Sequence, residues 1–437
     1  MSQPDRAAAP TAEDEVVDLC RNLIRIDTSN PIKPERPAAE YVADKLAEVG
    51  LEPTIVESEP GRASVVARME GADSSRPALL IHGHLDVVPA DASHWSVDPF
   101  GGEIKDGCLW GRGAVDMKDM DAMTLALVRQ WRREGRKPPR DVVLAFVADE
   151  EAGGVKGAHY LVKHHKDLFD GCTESISEVG GFSLQIREDL RLYPIQTAQR
   201  GMAWMKLIAH GLAGHGSLVN DNNAVTKLAE AVARIGRHEW PVRLTKTVEA
   251  FLAELGDALG ADIDPHDLSA AADKLGTITA LVAATLRNTA NPTMLDAGYK
   301  VNVIPQEATA HVDGRYLPGY KEEFLDTIDE LLGPDVTREM VHEDIALETD
   351  WAGPLVEAMK SAIKAEDDDA KPVPYCLFGG TDDKSFSELG ITGYGFSPLR
   401  LAPELDFAGM FHGVDERVNL DALRFGVRVL DRFLASC

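Results

Sequence analysis

Three adjacent acids, Asp149, Glu150 and Glu151, follow the apolar segment VVLAFV at residues 142–147. A short apolar run of this kind predicts a buried β-strand, so the acids come at the end of a core strand. Ionised carboxylates crowded together in a region of low dielectric repel one another and are costly to bury. A bound cation would offset that cost, whereas an exposed loop would simply solvate the acids. This motif alone leaves both interpretations open.

His84 and Asp86 end a second apolar segment, PALLIHGHLD. At a spacing of two residues on an extended strand, both side chains point to the same face. The imidazole could bind a metal ion while the carboxylate fixes the orientation and tautomer of the ring. A histidine of this kind is more often structural, so the pair carries weight only together with other ligands.

Loops elsewhere in the chain supply such ligands. Asp116 lies in the glycine-rich turn GRGAVDMK before a predicted helix, and His412 lies in the segment AGMFHGVDERV near the C-terminus. Histidine and carboxylate ligands suit zinc, cobalt and manganese. We therefore expect a metal centre assembled from loops that follow strands.

Predicted strands and helices alternate in the N-terminal part of the chain. The strand-like segments are PALLIHGHLDVV, DVVLAFVADEE and ESISEVGGF, and the helix-like segments are DEVVDLCRNLIRI, MDAMTLALVRQWRREG and VKGAHYLVKHH. This alternation predicts an α/β fold with a mixed, mostly parallel sheet and helices on both faces. Sites in such sheets form at the carboxyl ends of strands. Ends of this kind carry His84, Asp86, Glu150, Glu151 and Glu178.

The sequence pattern changes near residue 198. AWMKLIAHGLAGHGS alternates like a half-exposed strand, NAVTKLAEAVARIG is an amphipathic helix, and a helical insertion is predicted over about 241–295. The last part of the chain returns to the first pattern and ends in an amphipathic helix. We predict a catalytic domain of residues 1–197 and 347–437, interrupted by a smaller α+β lid or dimerisation domain of residues 198–346.

Composition narrows the class of protein. The 437 residues are 44% hydrophobic and 27% charged, which is typical of a soluble globular protein. With 45 Lys and Arg against 72 Asp and Glu, the net charge of -27 would repel nucleic-acid phosphates and anionic lipid. No apolar run approaches the roughly 18 residues of a membrane span. We therefore expect neither a nucleic acid nor a membrane as partner.

Cysteine usage indicates the cellular compartment. The cysteines are odd in number, widely spaced and form no CxxC pair, which disfavours zinc fingers and a disulfide framework. The N-terminal segment MSQPDRAAAPTAEDE lacks the basic and apolar regions of a secretory signal. We therefore expect a reducing, cytoplasmic location.

A series of motifs, taken in order along the chain, resembles one family. The motifs are HGHLDVVP, HWSVDPFGGEIKDGCLWGRGAVDMK, ADEEAGG, ISEVGG, AGHGS, VNVIP, DGRYLPG, FGGTDD and FHGVDE. They resemble the di-zinc peptidase family that contains glutamate carboxypeptidase, aminoacylase, carboxypeptidase S, acetylornithine deacetylase and succinyl-diaminopimelate desuccinylase. The second and third motifs are the most specific.

The resemblance implies two divalent metal ions, with zinc expected first and cobalt or manganese as alternatives. In the family's pattern each ion has its own pair of ligands and a bridging aspartate joins the two ions. The pairs would be His84 with Glu178 and Glu151 with His412, and the bridge would be Asp116.

Two details of the metal centre also follow from the resemblance. Family members carry a cis peptide after the bridging aspartate, which places this rare bond between Asp116 and Met117. The motif ISEVGG matches the family's ligand at Glu178, whereas Glu174, four residues earlier, is a candidate by position alone. We therefore expect Glu178 to face the metal ions.

Glu150, next to the ligand Glu151 but not itself a ligand, would be the general base. Zinc makes a water molecule acidic enough to yield hydroxide near neutral pH. Glu150 would accept the proton of that water and pass it to the leaving nitrogen of an amide. Asp86 would support His84, and Asp149 would support the fold.

A further group of residues is expected to contact the substrate. By resemblance, His215 in AGHGS would hydrogen-bond the developing oxyanion, in dimeric members within the site of the other subunit. Asn302, Arg315, Gly380 and Thr381 match substrate-binding positions. The structural alternatives are a surface histidine, a turn-stabilising asparagine, a surface arginine and a tight glycine turn.

The sequence thus predicts a metal-dependent amide hydrolase that acts on small peptides or N-acyl amino acids with a free carboxylate beside the scissile bond. A homodimer through the inserted domain is also expected. Two readings of the cleaved bond stay open, a dipeptide or C-terminal peptide bond and an N-acyl bond, because both lie next to a free carboxylate. A homologue that only binds is disfavoured because every ligand and Glu150 are present. A serine nucleophile is disfavoured because GxSxG is absent and Ser217 lies in the inserted domain.

Overall fold

The computed structural model describes residues 9–260, 263–266 and 285–437, which form two compact units. The described residues up to Gln196 belong to the first unit, together with Thr349–Pro374 and Thr381–Cys437. The described residues of Thr197–Glu348 and Tyr375–Gly380 belong to the second unit. Each unit has a hydrophobic core of its own.

The described α-helices are α1 (Ala12–Ile24), α2 (Arg36–Ala47), α3 (Lys118–Glu134), α4 (Ala158–His164), α5 (Ala224–Arg237), α6 (Lys246–Leu259), α7 (Lys321–Leu332), α8 (Pro354–Lys364), α9 (Asp383–Ser387) and α10 (Leu420–Ser436). None of them combines the length and the apolar character that crossing a bilayer requires.

The strands of the N-terminal part are β1 (Thr54–Glu59), β2 (Arg62–Met69), β3 (Ala78–His84), β4 (Glu103–Lys105), β5 (Cys108–Trp110), β6 (Val142–Val147), β7 (Cys172–Ser177), β8 (Leu184–Arg187) and β9 (Leu190–Gln199). The remaining strands are β10 (Gly201–His210), β11 (Gly214–His215), β12 (Thr289–Ala297), β13 (Val303–Ile304), β14 (Glu307–Tyr316), β15 (Val336–Asp344), β16 (Leu347–Glu348), β17 (Ala370–Leu377), β18 (Thr392–Gly395) and β19 (Arg417–Asn419).

The central sheet of the first unit has the order β1-β2-β6-β3-β7-β18-β9. Its middle strands β6, β3, β7 and β18 are parallel, whereas the outer pairs are antiparallel. Every residue of β3 and β6 is buried, as expected for strands covered on both faces. The predicted α/β class with a mixed, mostly parallel sheet is therefore confirmed.

Successive strand residues point to opposite faces of the sheet, so the apolar residues of β3 supply both faces. Helices cover each face. Leu79 and Ile81 of β3 lie in a core cluster with residues of α1, α3 and α10. Leu80, between them, lies in a separate cluster with Leu161 of α4 and Phe386 of α9. The alternation thus fixes β3 between two helical layers and leaves only its carboxyl end for chemistry.

The second unit contains an antiparallel sheet of order β12-β14-β10-β15. Alternate residues of β10 are buried, and Ala203, Met205 and Leu207 share a core cluster with residues of α5 and α7. Trp204, on the other face of the strand, is 43% exposed. This is the half-exposed strand that the sequence pattern predicts.

The helical insertion predicted over about 241–295 is wrong at its end. The helix α6 lies in this segment, but Thr289–Ala297 is the edge strand β12, which pairs with β14. Its sequence, TANPTMLDA, lacks the apolar alternation that predicts a strand. In agreement, most of its side chains are not buried, and its pairing shifts register between Pro292 and Met294. Residues 261–262 and 267–284 lie outside the described residues.

Candidate metal centre

The residues expected to bind metal lie in two adjoining groups. One group comprises His84, Asp116 and Glu178, and the other comprises Asp116, Glu151 and His412. Within each group the ligand atoms all lie within 4.8 Å of one another. Asp116 belongs to both groups, which is the position of a bridging ligand.

The two oxygens of Asp116 face different histidines. Oδ1 lies 3.0 Å from Nε2 of His84, and Oδ2 lies 3.4 Å from Nε2 of His412. His84 Nε2 is also 3.6 Å from Glu178 Oε2, and His412 Nε2 is 3.0 Å from Glu151 Oε2. The carboxylate of Asp116 thus separates two pairs of nitrogen and oxygen atoms, each of which could hold one ion.

Three parallel strands bring most of these groups to one edge of the sheet. His84 is the last residue of β3, Glu178 follows β7 directly, and Glu150 and Glu151 lie in a short 3-10 turn just after β6. The strands β6, β3 and β7 are neighbours, so their carboxyl ends meet. Asp116 and His412 come from loops.

The electrostatics of the groups reflect crowded carboxylates. Burial opposes the charge of Asp116, but hydrogen bonds with His412 and His84 outweigh it and lower its pKa. Hydrogen bonds with Asp116 and Glu151 raise the pKa of His412 to about 10. In the metal-free chain the imidazole of His412 therefore carries a proton, and the carboxylates depend on positive charge beside them.

The donor atoms fit divalent metal ions. Oε1 of Glu151 is buried and has no hydrogen-bond partner among the described residues. A buried carboxylate oxygen without a partner is costly unless a cation binds it. Imidazole nitrogens combined with carboxylate oxygens suit zinc, cobalt and manganese.

The contact that orients His84 differs from the one predicted. Nδ1 of His84 lies 2.9 Å from the backbone oxygen of Asp86, whereas the Asp86 carboxylate is 3.6 Å away. The carboxylate instead accepts the backbone N–H groups of Glu150 and Glu151, each at 3.1 Å. Asp86 therefore fixes the ring through its carbonyl and fixes the acidic turn through its side chain.

Asp149 has structural contacts. Its carboxylate accepts hydrogen bonds from Asn30 Nδ2 at 3.1 Å and from the backbone N–H of Lys156 at 2.9 Å. Asn30 Nδ2 also donates to Asp86 at 2.9 Å. Asn30 had no signal in the sequence, because its partners lie 56 and 119 residues away.

Glu416 is a fully buried carboxylate that sequence analysis missed. Its Oε1 accepts the backbone N–H groups of Val115 at 2.8 Å and Asp116 at 3.2 Å. Its Oε2 accepts Arg112 Nη1 at 2.7 Å and the N–H of Gly113 at 3.0 Å. One carboxylate thereby holds the turn that presents Asp116.

Arg112 extends this connection to the loop that carries His412. Its Nη2 donates to the backbone oxygen of Gly413 at 2.8 Å. The hydroxyl of Ser96 donates to Asp415 in the same loop at 2.6 Å. Glu416 is itself the last residue of the motif FHGVDE and lies four residues after the expected ligand His412. Its place in that motif is the sequence signal that could have identified it.

Two expectations about individual residues can be compared with the structure directly. The peptide between Asp116 and Met117 is cis, as predicted. Glu174 pairs with Arg140, with Oε2 2.6 Å from Nη1, and belongs to neither metal-binding group. Glu178 lies in the group that contains His84.

His215 and Asn302 lie side by side in the second unit. The strands β11 and β13 pair there, and the N–H of Gly216 donates to the Asn302 backbone oxygen at 2.9 Å. The backbone N–H of Ser217 donates to His215 Nδ1 at 3.3 Å. Since Nδ1 is then an acceptor, the proton of the neutral ring resides on Nε2. The imidazole is exposed and can donate from Nε2.

Arg315 of β14 is half-buried and pairs with Asp313. Nε donates to Asp313 Oδ1 at 2.7 Å, and Nη2 donates to Oδ2 at 3.1 Å. This contact occupies one edge of the guanidinium, and the edge formed by Nη1 and Nη2 is a second one that can pair with a carboxylate.

The boundary between the two units falls between Gly380 and Thr381. Gly380 ends the segment assigned to the second unit, and Thr381 begins the last segment of the first unit. Oγ1 of Thr381 accepts the N–H of Asp383 at 3.3 Å, at the start of α9. Thr381 therefore has a structural contact in addition to any contact with substrate.

The chain is similar to known proteins over nearly its whole length. The model of peptidase family M20/M25/M40 matches residues 80–436. Aminoacylase-1 of Mus musculus is 27% identical over 437 residues, covering 98% of this chain and 96% of that protein.

Solved structures share the fold. The M20 family metallo-carboxypeptidase Sso-CP2 of Sulfolobus solfataricus has a TM-score of 0.73 at 19% identity, covering 97% of this chain and 99% of that one. Human carnosine dipeptidase 1 has a TM-score of 0.69 at 17% identity, with coverages of 97% and 96%. At these identities the likeness concerns the fold.

Proposed function

Because the chain belongs to peptidase family M20/M25/M40, we propose that its metal centre hydrolyses the amide bond of small substrates with a free carboxylate beside that bond. The protein is a metal-dependent hydrolase. The observation that carries the proposal is the pair of ligand groups that share Asp116, with Glu150 next to the ligand Glu151.

Glu150 acts as general base in this proposal. When bound, two divalent ions would acidify a water molecule, polarise the amide carbonyl and offset the repulsion among the carboxylates. Burial, followed by the charge of Glu178, raises the pKa of Glu150 well above its ordinary value, so its carboxylate has a high affinity for a proton. Glu150 takes a proton from water and delivers it to the leaving nitrogen.

His215 stabilises the charge that develops on the carbonyl oxygen. Its contacts with Ser217 leave the proton on Nε2, so the neutral ring is already a hydrogen-bond donor. Asn302, whose backbone is joined to the same loop, adds an amide donor.

Arg315 binds the free carboxylate of the substrate. Its contact with Asp313 holds the guanidinium in one orientation and leaves the edge of Nη1 and Nη2 for two parallel hydrogen bonds. In a chain with a net charge of -27, an anionic substrate needs local positive charge. Gly380 and Thr381 complete the expected substrate contacts.

N-acyl amino acids are the first substrate class to test, and dipeptides are the second. Aminoacylase-1 is similar over 98% of this chain, whereas the likeness to a dipeptidase and a carboxypeptidase is one of fold. Both classes place an amide next to a free carboxylate. A cytoplasmic location is part of the proposal and is supported by the absence of a disulfide among the five cysteines.

A turnover screen tests the proposed function. Metal-loaded protein is assayed with N-acyl amino acids and dipeptides, each as the free acid and as the C-terminal amide. We expect the acid to be favoured in kcat/KM by about 2 kcal/mol, the contribution of a charge-assisted hydrogen bond. Equal kcat/KM for acid and amide would contradict the proposed role of Arg315. Absence of amide hydrolysis in both substrate classes would contradict the proposed function.

Arg315→Lys provides the matched variant. Lysine keeps the charge but loses the planar pair of donors, so the preference for the acid should fall although the charge is unchanged. An unchanged preference in Arg315→Lys would show that charge alone selects the carboxylate.

We further propose a homodimer formed by the second unit. The edge strand β12 and the turn after it expose large apolar side chains, among them Leu295 at 59% and Tyr299 at 83% exposed. Exposed apolar residues on an unpaired strand edge are typical of association surfaces. In such a dimer His215 would complete the site of the other subunit.

A further inference from the structure

A short segment of the first unit lies beside the chain that follows β3. We call it the TSN segment after its residues Thr28, Ser29 and Asn30. The backbone N–H of Val87 donates to the Thr28 oxygen at 3.2 Å, and the N–H of Asn30 donates to the Val87 oxygen at 2.9 Å. Ser29 and Val87 form a parallel β-bridge. The TSN segment is therefore paired with the backbone on which Asp86 lies.

Side-chain hydrogen bonds join the TSN segment to the rest of the metal centre. The hydroxyl of Thr28 donates to the Leu85 oxygen at 2.7 Å and accepts the ammonium of Lys118 at 3.0 Å. Lys118 is fully buried and also donates to two backbone oxygens that precede the segment, each at 3.0 Å. Because Lys118 comes two residues after Asp116, the segment is connected to the turn of Asp116 as well as to β3.

The amide group of Asn30 contacts two carboxylates. Its Nδ2 donates to Asp86 Oδ2 at 2.9 Å and to Asp149 Oδ1 at 3.1 Å. A side-chain amide nitrogen carries two hydrogens, and these contacts use both of them. Oδ1 of Asn30 is buried and has no hydrogen-bond partner among the described residues, which costs stability. The contribution of Asn30 therefore comes from its two donor contacts.

Asp86 transmits this constraint to the acidic turn of Asp149, Glu150 and Glu151. Its Oδ1 accepts the backbone N–H of Glu150, and its Oδ2 accepts that of Glu151. Oδ2 is the same oxygen that accepts Asn30 Nδ2. A rotation of the Asp86 carboxylate would break both contacts with the turn, and the contact with Asn30 opposes that rotation.

Asp149 provides a second connection from Asn30 to the acidic turn. Its φ of 69° lies in the left-handed region, which is unfavourable for a residue with a side chain. The Asp149 carboxylate is held on one oxygen by Asn30 and on the other by the backbone N–H of Lys156. These contacts stabilise the bend that directly precedes Glu150.

We propose that Asn30 is a positioning residue for the reaction. Through Asp86 and Asp149 it fixes the backbone of Glu150 and Glu151, and with it the direction in which the general base points. This inference rests on the proposed function, in which Glu150 transfers the proton.

Two substitutions remove the donor contacts in different ways. Asn30→Ala leaves two carboxylates without their amide partner, and Asn30→Asp keeps the shape but places a third acid beside them. At saturating metal we expect kcat to fall by about 10- to 100-fold in both variants, the range for residues that support a metal site through another group. KM should change little, because Asn302 and Arg315, the expected substrate contacts, belong to the second unit.

A double-mutant cycle separates positioning from a general structural defect. Glu150→Asp shortens the base and displaces its carboxylate, so exact positioning of the backbone matters less in that background. Asn30→Ala should therefore lower kcat much less in Glu150→Asp than in the unchanged protein. The same factor of loss in both backgrounds would overturn the inference.

Asn22→Ala is the matched control. Asn22 Nδ2 donates to the hydroxyl of Tyr41 at 3.3 Å, a contact between α1 and α2. This variant also loses an asparagine donor, but kcat and KM should stay unchanged. Chemical denaturation of each variant records its stability. An unchanged kcat in Asn30→Ala, or an equal loss of kcat in Asn22→Ala, would overturn the role of Asn30 without affecting the proposed function.

Zinc affinity tests the inference without turnover. Because Asp86 Oδ2 holds the N–H of Glu151, loss of the Asn30 contact should weaken the ion expected at Glu151 and His412 by about tenfold or more. Calorimetric titration of the unchanged protein and Asn30→Ala with zinc measures this difference. Equal affinities would overturn the inference. Weaker zinc binding in Asn30→Ala, together with no turnover in the unchanged protein, would instead overturn the proposed function and keep Asn30 as the residue that positions the acidic turn.

Discussion

The three acids after β6 have distinct surroundings although they are adjacent in the sequence. Asp149 accepts hydrogen bonds from Asn30 and Lys156, and Glu151 lies 3.0 Å from His412. Glu150 lies between them and belongs to neither metal-binding group. The carboxylates are compensated differently: Asp149 has backbone and amide donors, Glu151 belongs to a metal-binding group, and burial raises the pKa of Glu150 well above its ordinary value.

Metal binding should release protons. Hydrogen bonds with Asp116 and Glu151 raise the pKa of His412 to about 10, so the imidazole of the metal-free protein is protonated at pH 7. A metal ion binds the neutral ring, so affinity should fall as the pH is lowered and each binding event should expel a proton. Calorimetric titration with zinc in buffers of different ionisation enthalpy measures the number of protons released per ion bound. A binding enthalpy that does not depend on the buffer would contradict it.

The loops around the metal centre depend on one buried carboxylate. Glu416 holds the turn before Asp116, and Arg112 connects that turn to the loop of His412. Glu416→Gln keeps the size of the side chain but leaves Arg112 buried without its charge partner. We expect the free energy of unfolding to fall by about 3 kcal/mol, as for other broken buried pairs, and metal affinity to fall with it.

Asp415→Asn is the matched control for Glu416→Gln. Asp415 lies next to Glu416 in the chain, but its contact with Ser96 is exposed. Exposed polar contacts contribute less than about 1 kcal/mol, so stability should change little. Chemical denaturation of both variants makes the comparison. Equal stabilities of the two variants would show that Glu416 does not hold the loops.

The sequence predicts the ends of strands better than the loops that complete the site. The fully buried strands β3 and β6 contain the apolar runs ALLI and VVLAFV, so His84 and Glu151 could be placed at strand ends from local pattern alone. Glu416 could not be assigned in this way, because its contacts with Val115 span 301 residues. The atom of Asp86 that contacts His84 was also predicted wrongly, since residue spacing specifies a face and not a rotamer.

The edge strand β12 shows a different limit of sequence reasoning. Its segment TANPTMLDA has a proline and no apolar alternation, so periodicity gave no reason to predict a strand. Pairing with β14 decides its conformation. Structure that is imposed by a distant partner is not encoded in the local pattern.

The proposed dimer makes a prediction for mixed subunits. His215→Ala and Glu150→Ala should each be inactive alone if both residues act in the reaction. If His215 serves the other subunit, random exchange makes about half of the dimers mixed with one intact site each, so about a quarter of the activity should return. Activity after mixing and the degree of subunit exchange are measured together. Complete exchange without recovered activity would contradict completion of the site by the other subunit.

The central claim is that Glu150 supplies proton transfer while the groups around Asp116 hold two ions. Metal content and turnover measured together in Glu150→Ala test it most directly, with Glu151→Ala as the matched neighbour. We expect Glu150→Ala to retain two ions per chain and to lose turnover by several orders of magnitude, about the 10²–10⁴-fold of general base catalysis or more. Glu151→Ala should lose an ion. Loss of an ion in Glu150→Ala, or turnover close to that of the unchanged protein, would contradict the account.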